Sequence, residues 1–327
     1  MVFSSVPESE RERAIDTLDR GLDLLEHGDE EEAGRYFFKS IEIDPTYADG
    51  YNHLANIVWR KGDWKQAEGL YRKALGCAEP EAKDIPEGGF WGILESRPYM
   101  RALHGLGLTL WRQGRLEDAI SILERMLKLN PNDNQGVRYL MGPIHHQIGN
   151  LEETTKWYEQ NGDDPHNLYN YGLALIQQDK LEEAAKVLIF AVFANPYVAP
   201  MLLSDKLPKR NWWHGTNLAE PEYAEDYVTE YGSWWEREER PLAFLRAVWS
   251  SEDAQQNLKD FFATRRAMKK AKTGDERVSL ARAGDRLCSP ATVRKLQLEF
   301  PSNLRESKPG GIELHLVARS SEKSSPH

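Results

Sequence analysis

The chain has 327 residues, 40% of them hydrophobic and 29% charged, with a formal net charge of −10 and two cysteines. That length suggests about two domains, and Cys77 and Cys288 lie far apart with no partner motif, which excludes a disulfide framework and a four-ligand zinc site. Met1 to Arg13 lacks the apolar core of a secretory signal, and the longest apolar run, Val187 to Ala194, is far shorter than the roughly twenty residues needed to span a bilayer, so a cytoplasmic protein without a membrane span is expected.

The first fifty residues are acidic, with fourteen Asp/Glu against five Lys/Arg. Residues 1–13 read as a lead-in, after which a recurrence begins: Gly21, Ala33, Phe37 and Pro45, then Ala55, Ala67, Tyr71 and Pro80. The same order returns as Gly107, Ala119, Leu123 and Pro131, and as Gly172, Ala184, Leu188 and Pro196. Small residues twelve apart allow two helices to approach closely, and a bulky residue and a Pro follow at fixed distances. This is the tetratricopeptide pattern, a helix-turn-helix unit of about 34 residues that buries its apolar face only by stacking on its neighbours. The inter-helix turns carry Gly28, Gly62, Gly114 and Gly149, where the chain leaves the helix in a left-handed conformation. Asp44-Pro45, Asn130-Pro131 and Asn195-Pro196 punctuate the units, because the residue before Pro is biased out of the α region.

Units therefore start near 14, 48, 100 and 165, with a degenerate unit near 135. The long step from 48 to 100 leaves an insertion near 80–99, rich in Pro, Gly, Phe90 and Trp91, that reads as an ordered aromatic loop or short helix. Pro143 in the degenerate unit predicts a kink or early break in its first helix, and Gly162 to Pro165 predicts a short second one. Asn132, Asp133 and Asn134 read as turn and cap acceptors for the helix that follows.

The segments Glu95 to Ala102 and Leu129 to Gly136 resemble bacterial tetratricopeptide proteins of unassigned function. The stretch from Ala194 through Leu203, with Ala224, Tyr227, Trp234-Trp235 and Leu242 to Leu245, is similar to the end of the suppressor-of-tumorigenicity-seven type proteins. The resemblance spans roughly residues 48–249 and implies the repeat fold, with no activity, catalytic residue or ligand to carry over.

Beyond the repeats, residues 198–273 read as a divergent helical cap. One helix is expected from about Pro241 to Ala271, with Arg265, Lys269 and Lys272 on one face and Arg266 and Lys270 beside them. A solvated face on a capping helix is favoured over contact with nucleic acid or an anionic surface. Residues 274–327 read as a small, partly extended or disordered tail. Within it Leu296, Leu298 and Phe300, and then Ile312, Leu314 and Leu316, alternate like two short strands of a candidate β hairpin. The expected fold is thus all-α: a right-handed tetratricopeptide solenoid over 14–197 with a helical C-terminal cap.

No phosphate-cradling Gly-rich loop, H-E-x-x-H or G-x-S-x-G occurs, so neither an enzyme nor a bound cofactor or metal is expected. His145 and His146 are adjacent and point about 100° apart on a helix, unlike an i, i+4 metal pair. Trp212-Trp213-His214 and Trp234-Trp235 read as staples between helices, with a small-ligand or catalytic role for the Trp-rich region 212–249 as the alternative. A nucleic-acid or anionic-surface role for residues 265–272 is a further one.

The expected function is that of an adaptor or scaffold whose groove holds an extended peptide or partner helix. In tetratricopeptide proteins the first helix of each unit lines the groove. Counting along those helices gives Asn52, Asn56 and Trp59, then Arg101, His104 and Trp111, then Arg138 or Tyr139, and Tyr169. Asparagines on consecutive turns can clamp a peptide backbone with paired donors and acceptors, leaving Arg and His to select the ligand. The carboxylate clamp known for chaperone tails is not expected, because Leu18 and Leu22 stand where it needs Lys and Asn. Arg97, Tyr99 and Arg101 could form an anion-binding edge or lock the insertion against the third repeat.

Overall fold

The computed structural model describes residues 8–162, 164–287 and 289–293. These residues are helical, with no strand among them. The candidate hairpin, the end of the tail, the first seven residues and Cys288 lie outside the described residues. The chain divides into two compact units, residues 1–150 and 151–327, at a point inside the span read as repeats.

The first unit contains α1 (Glu8–Glu26), α2 (Glu30–Ile43), α3 (Ala48–Arg60), α4 (Trp64–Ala82), α5 (Arg97–Arg112), α6 (Leu116–Leu129) and α7 (Arg138–Ile148). The pairs α1–α2, α3–α4 and α5–α6 are the three complete repeats of this unit. Each turn is left-handed at its Gly: φ is +83° at Gly28, +82° at Gly62 and +75° at Gly114. Asp29 and Asp63 then cap the second helix, their carboxylates accepting from Glu32 N at 3.1 Å and Gln66 N at 3.0 Å.

The small residue of the first helix faces the bulky residue of the second. A Cβ on Gly107 would lie 2.8 Å from Leu123 Cδ2, and one on Gly21 would lie 2.6 Å from Phe37 Cε1. The partner of Gly107 is therefore Leu123, sixteen residues on, with Ala119 filling a separate fully buried position. The pre-proline residues do more than bias the backbone. Asp44 is fully buried, pairs with Arg11, and accepts from Thr46 N at 2.9 Å.

The insertion is ordered, as two short 3-10 turns, Phe90–Gly92 and Leu94–Ser96, leading into α5. Arg97 stacks 5.2 Å over the Trp91 ring, Arg125 donates to the Tyr99 hydroxyl, and Arg101 binds both oxygens of Asp49 at 2.6 Å. Tyr99 and Arg101 of the conceivable anion-binding edge are thus engaged within the protein, while Arg97 keeps a buried Nε without a hydrogen-bond acceptor. Asp133, at φ +48°, accepts from Val137 N at 2.7 Å and Arg138 N at 2.9 Å, which makes it the turn and cap acceptor for α7. The expected early break at Pro143 is corrected: α7 runs through that residue to Ile148.

The second unit contains α8 (Leu151–Gln160), α9 (Pro165–Gln177), α10 (Leu181–Ala194), α11 (Val198–Leu202), α12 (Pro221–Trp235), α13 (Glu239–Ser250), α14 (Glu252–Lys270), α15 (Gly274–Leu287) and α16 (Pro290–Val293). The α9–α10 pair repeats the motif, with Gly172 against Leu188. Asp179, at φ +61°, replaces the turn glycine and forms an ion pair with Arg240. Asn195 is buried and donates to the carbonyls of Leu218 at 2.9 Å and Glu220 at 3.0 Å, which fixes the loop before α12.

The single helix expected from Pro241 to Ala271 is two helices. Ser251 breaks it at φ −58°, ψ 130°, and its hydroxyl caps α14 by accepting from Ala254 N. Lys272 consequently falls outside α14, and Arg265 lies over the Phe261 ring at 4.9 Å and the Trp213 ring at 5.5 Å. The basic stripe is not one continuous helical face. Trp235 is fully buried in the core of the second unit, and its indole donates to the Tyr227 hydroxyl of the same helix, α12, at 2.7 Å. No described helix is long and apolar enough to cross a membrane.

Candidate functional site

A cleft of about 380 Å³ opens in the first unit where α3, α4 and α5 meet. It is built by helical spacing. Asn52, Asn56 and Trp59 follow one another at i, i+4 and i+7 along α3, and Arg101, His104 and Leu108 at i, i+3 and i+7 along α5, so each set shares a face. Of the residues the sequence singles out, the fold brings Asn52, Asn56, Trp59, Arg101 and His104 together as lining of this cleft.

The chemistry of each is set by its surroundings. Asn52 is buried, and its amide nitrogen donates to Pro98 O at 2.9 Å and to Asp49 Oδ1 at 3.1 Å. Both donors are thereby used inside the protein, and the carbonyl oxygen Oδ1 is left buried without a partner. Asn56 is exposed and accepts at Oδ1 from the Tyr71 hydroxyl at 2.5 Å. The Trp59 indole nitrogen is a buried donor without an acceptor. Burial pushes the His104 imidazole below its ordinary pKa, against the pull of Asp133, so it is neutral at pH 7. His53, behind the cleft, is lowered first by burial and further by Arg101, with Asp49 opposing.

Tyr71, Gly105, Arg60 and Gln135 also line the cleft and were not among the candidates. Tyr71 was legible only as the bulky repeat residue. Its ring lies against Gly105, where a Cβ would come within 2.2 Å of it, and the signal in the sequence is a second glycine two residues before the repeat glycine of α5. Gln135 comes from the loop after α6, which no helical count reaches. Its amide nitrogen is 3.4 Å from Met100 O, and its carbonyl oxygen is buried and unpartnered.

The remaining candidates are placed otherwise. Trp111 is buried, donates to Gln147 Oε1 at 2.9 Å, and with Trp59 flanks the Arg112 guanidinium. Arg138 lies over the Tyr139 ring at 4.8 Å and pairs with Asp133 at 3.5 Å. None of these three lines the cleft. Tyr169 is corrected outright: it is fully buried in the core of the second unit, donating to Asn195 O at 3.1 Å. Its count from Pro165 placed it on the inward face of α9, where packing against Tyr227 claims it.

Among the described residues no group of three or more His, Cys, Asp or Glu could hold a metal ion. The arrangement contains no nucleophile paired with a base; what it offers is hydrogen-bonding atoms on an aromatic wall.

Comparison with known proteins agrees with the helical pattern. Residues 51–85 and 100–133 match tetratricopeptide repeat family models. The type IV pilus assembly protein PilF of Pseudomonas aeruginosa is 29% identical over 143 residues, covering 37% of this chain and 56% of that protein, so the match spans little more than half the relative's length. Among solved structures, that of Pseudomonas aeruginosa PilF is 22% identical with a TM-score of 0.46, covering 69% of this chain and 92% of the other. YrrB, described as a tetratricopeptide protein with an unusual peptide-binding site, is 23% identical with a TM-score of 0.42, covering 55% and 84%. A tetratricopeptide protein from Parabacteroides merdae is 14% identical with a TM-score of 0.46, covering 84% and 99%. The chain is a tetratricopeptide repeat protein. The repeat class rests on the two family-model matches, and none of these comparisons supports the suppressor-of-tumorigenicity-seven type resemblance.

Proposed function

We propose that the first unit binds an extended peptide in the cleft between α3 and α5, and that the protein acts as an adaptor rather than a catalyst. The observation that carries this reading is a set of three buried polar atoms without a protein partner, all on residues lining one cleft: Asn52 Oδ1, Trp59 Nε1 and Gln135 Oε1. Buried polar groups in folded proteins are nearly always hydrogen-bonded. An acceptor, a donor and an acceptor complement the N–H, C=O and N–H groups of a peptide backbone, which grips a strand with little demand on its sequence. Arg101 is held by Asp49, so it shapes the rim more than it selects a free anion. Absence of a membrane-length apolar helix among the described residues is compatible with a cytoplasmic site of action, which we include in the proposal.

The test separates backbone recognition from folding. Asn52 is a poor target because it also tethers Pro98. Trp59→Phe keeps an aromatic ring, though a smaller one, and removes the donor, and Gln135→Met keeps the volume and removes the acceptor. Peptides selected from a random displayed library on the wild-type protein are titrated against the double variant by fluorescence polarisation. Two lost hydrogen bonds of about 0.5–1.5 kcal/mol each predict a weakening of roughly five- to 150-fold at unchanged helicity. Equal affinity for both proteins refutes the proposal.

A further inference from the structure

The second unit holds a cavity of about 470 Å³, separate from the cleft above, which neither the repeat pattern nor the comparisons assign to anything. Its walls are apolar and largely aromatic: Leu168, Phe190, Phe193, Trp212 and Phe261. The volume is in the range of small-molecule sites, which are typically apolar with a few placed polar groups. The question is which polar groups remain available there.

His214 is one of the polar side chains in the lining, and both its nitrogens are engaged. The Trp212 indole donates to the Tyr197 hydroxyl oxygen at 3.1 Å, so the Tyr197 proton is directed to His214 Nε2 at 3.0 Å. Nδ1–H then points to Glu220 Oε1 at 3.2 Å. The relay runs one way from indole to carboxylate. Thr216 is also engaged, accepting from Leu218 N at 3.0 Å and lying 3.3 Å from Asn217 Oδ1.

That leaves Arg265. Its guanidinium packs on the faces of Phe261 and Trp213, its Nε is buried with no acceptor, and no carboxylate among the described residues forms an ion pair with it. Glu220, the acid beside the cavity, is turned to His214, and Glu222 is paired with Arg210. A guanidinium presents a planar fork of donors that matches a carboxylate in bidentate fashion, and stacking on two rings pre-orients that fork.

From this lining we infer that the cavity binds a small carboxylate with an apolar body, the acid on Arg265 and the body among Phe190, Phe193, Trp212 and Phe261. The acid could be a free organic acid or the C-terminal residue of a peptide, since both present the same chemistry. This site is independent of the peptide cleft of the first unit, and variants there leave it intact.

Matched acids and amides test it on the full chain: octanoate against octanamide, 3-phenylpropionate against its amide, and N-acetyl-Leu-Phe with a free against an amidated C-terminus. Binding is followed by calorimetry and by the change in total tryptophan fluorescence, to which Trp212 is one of ten contributors. Acids are expected to bind at least about tenfold tighter than their amides, as a charge-assisted hydrogen-bonded pair implies. Arg265→Gln abolishes that preference, and Lys259→Gln, an exposed change on the same helix, preserves it. A preference in the first two pairs alone identifies a free acid as ligand, and one in the third alone a peptide terminus. Equal binding of acids and amides, no binding of any probe up to about 1 mM, or an unchanged preference in Arg265→Gln overturns the inference. Should Arg265→Gln fail to fold, the wild-type acid and amide comparison alone decides.

Discussion

Substituting Gly105→Ala tests how the repeat packing and the cleft depend on each other. The added Cβ would lie 2.2 Å from both Cε1 and Cζ of Tyr71, more than an ångström inside ordinary contact, and the ring belongs to a side chain only 2% exposed. The ring has to shift, and its hydroxyl then leaves Asn56 Oδ1, now 2.5 Å away. Overpacking of this kind costs about 1–3 kcal/mol and the lost hydrogen bond about 0.5–1.5 kcal/mol. Against these stands a gain of about 1 kcal/mol for Ala over Gly in a helix interior. The net expectation is a destabilisation of about 2 kcal/mol, together with weaker peptide binding because Tyr71 and Asn56 both line the cleft. Gly69→Ala is the internal control: it is the same chemical change on an exposed helical position with nothing within 4 Å, and it should stabilise by up to about 1 kcal/mol. Urea unfolding followed by circular dichroism reads both variants. Stabilisation of Gly105→Ala to the extent of Gly69→Ala would refute the close approach of α4 and α5 and its role in shaping the cleft.

Asp133→Ala removes the acceptor for Val137 N and Arg138 N and places Ala at φ +48°, so a loss of about 2–4 kcal/mol is expected in the same urea assay; a change below about 0.5 kcal/mol would mean that α7 is held by packing alone. Burial lowers the pKa of His53, His104, His166 and His214, so each binds its proton more readily in the unfolded chain. Their linkage leaves stability intact above the unfolded value of 6.5 and lowers it as pH falls from there through the folded values. Urea midpoints should therefore be lower at pH 5.5 than at pH 7.5, and His104→Gln should reduce the difference; a midpoint that rises on acidification would contradict the assigned burial.

The repeat architecture is a local matter, which is why it was readable from the chain alone. Gly28, Gly62 and Gly114 end helices through backbone geometry, Asp133 caps through its own side chain, and the spacing of Gly107 and Leu123 is a helix-pair contact between sequence neighbours. The same spacing places Asn52, Asn56 and Trp59 on one face of α3, because a helix repeats every 3.6 residues whatever surrounds it. Periodicity fails where a choice depends on distant partners. Ser251 is a helix cap because the chain turns there, at a point where the apolar pattern alone continues from Pro241 to Ala271. Tyr169 has a groove position by count, yet the closure of α12 over α9 buries it against Tyr227. Which polar atoms remain unsatisfied is also a tertiary outcome. Asn52 Oδ1 and Gln135 Oε1 are orphaned, and Arg265 keeps no acid, because partners brought from elsewhere in the chain have already engaged the neighbouring groups. Local spacing sets which side chains share a face, while long-range packing decides which of them keep an unspent hydrogen bond for a ligand.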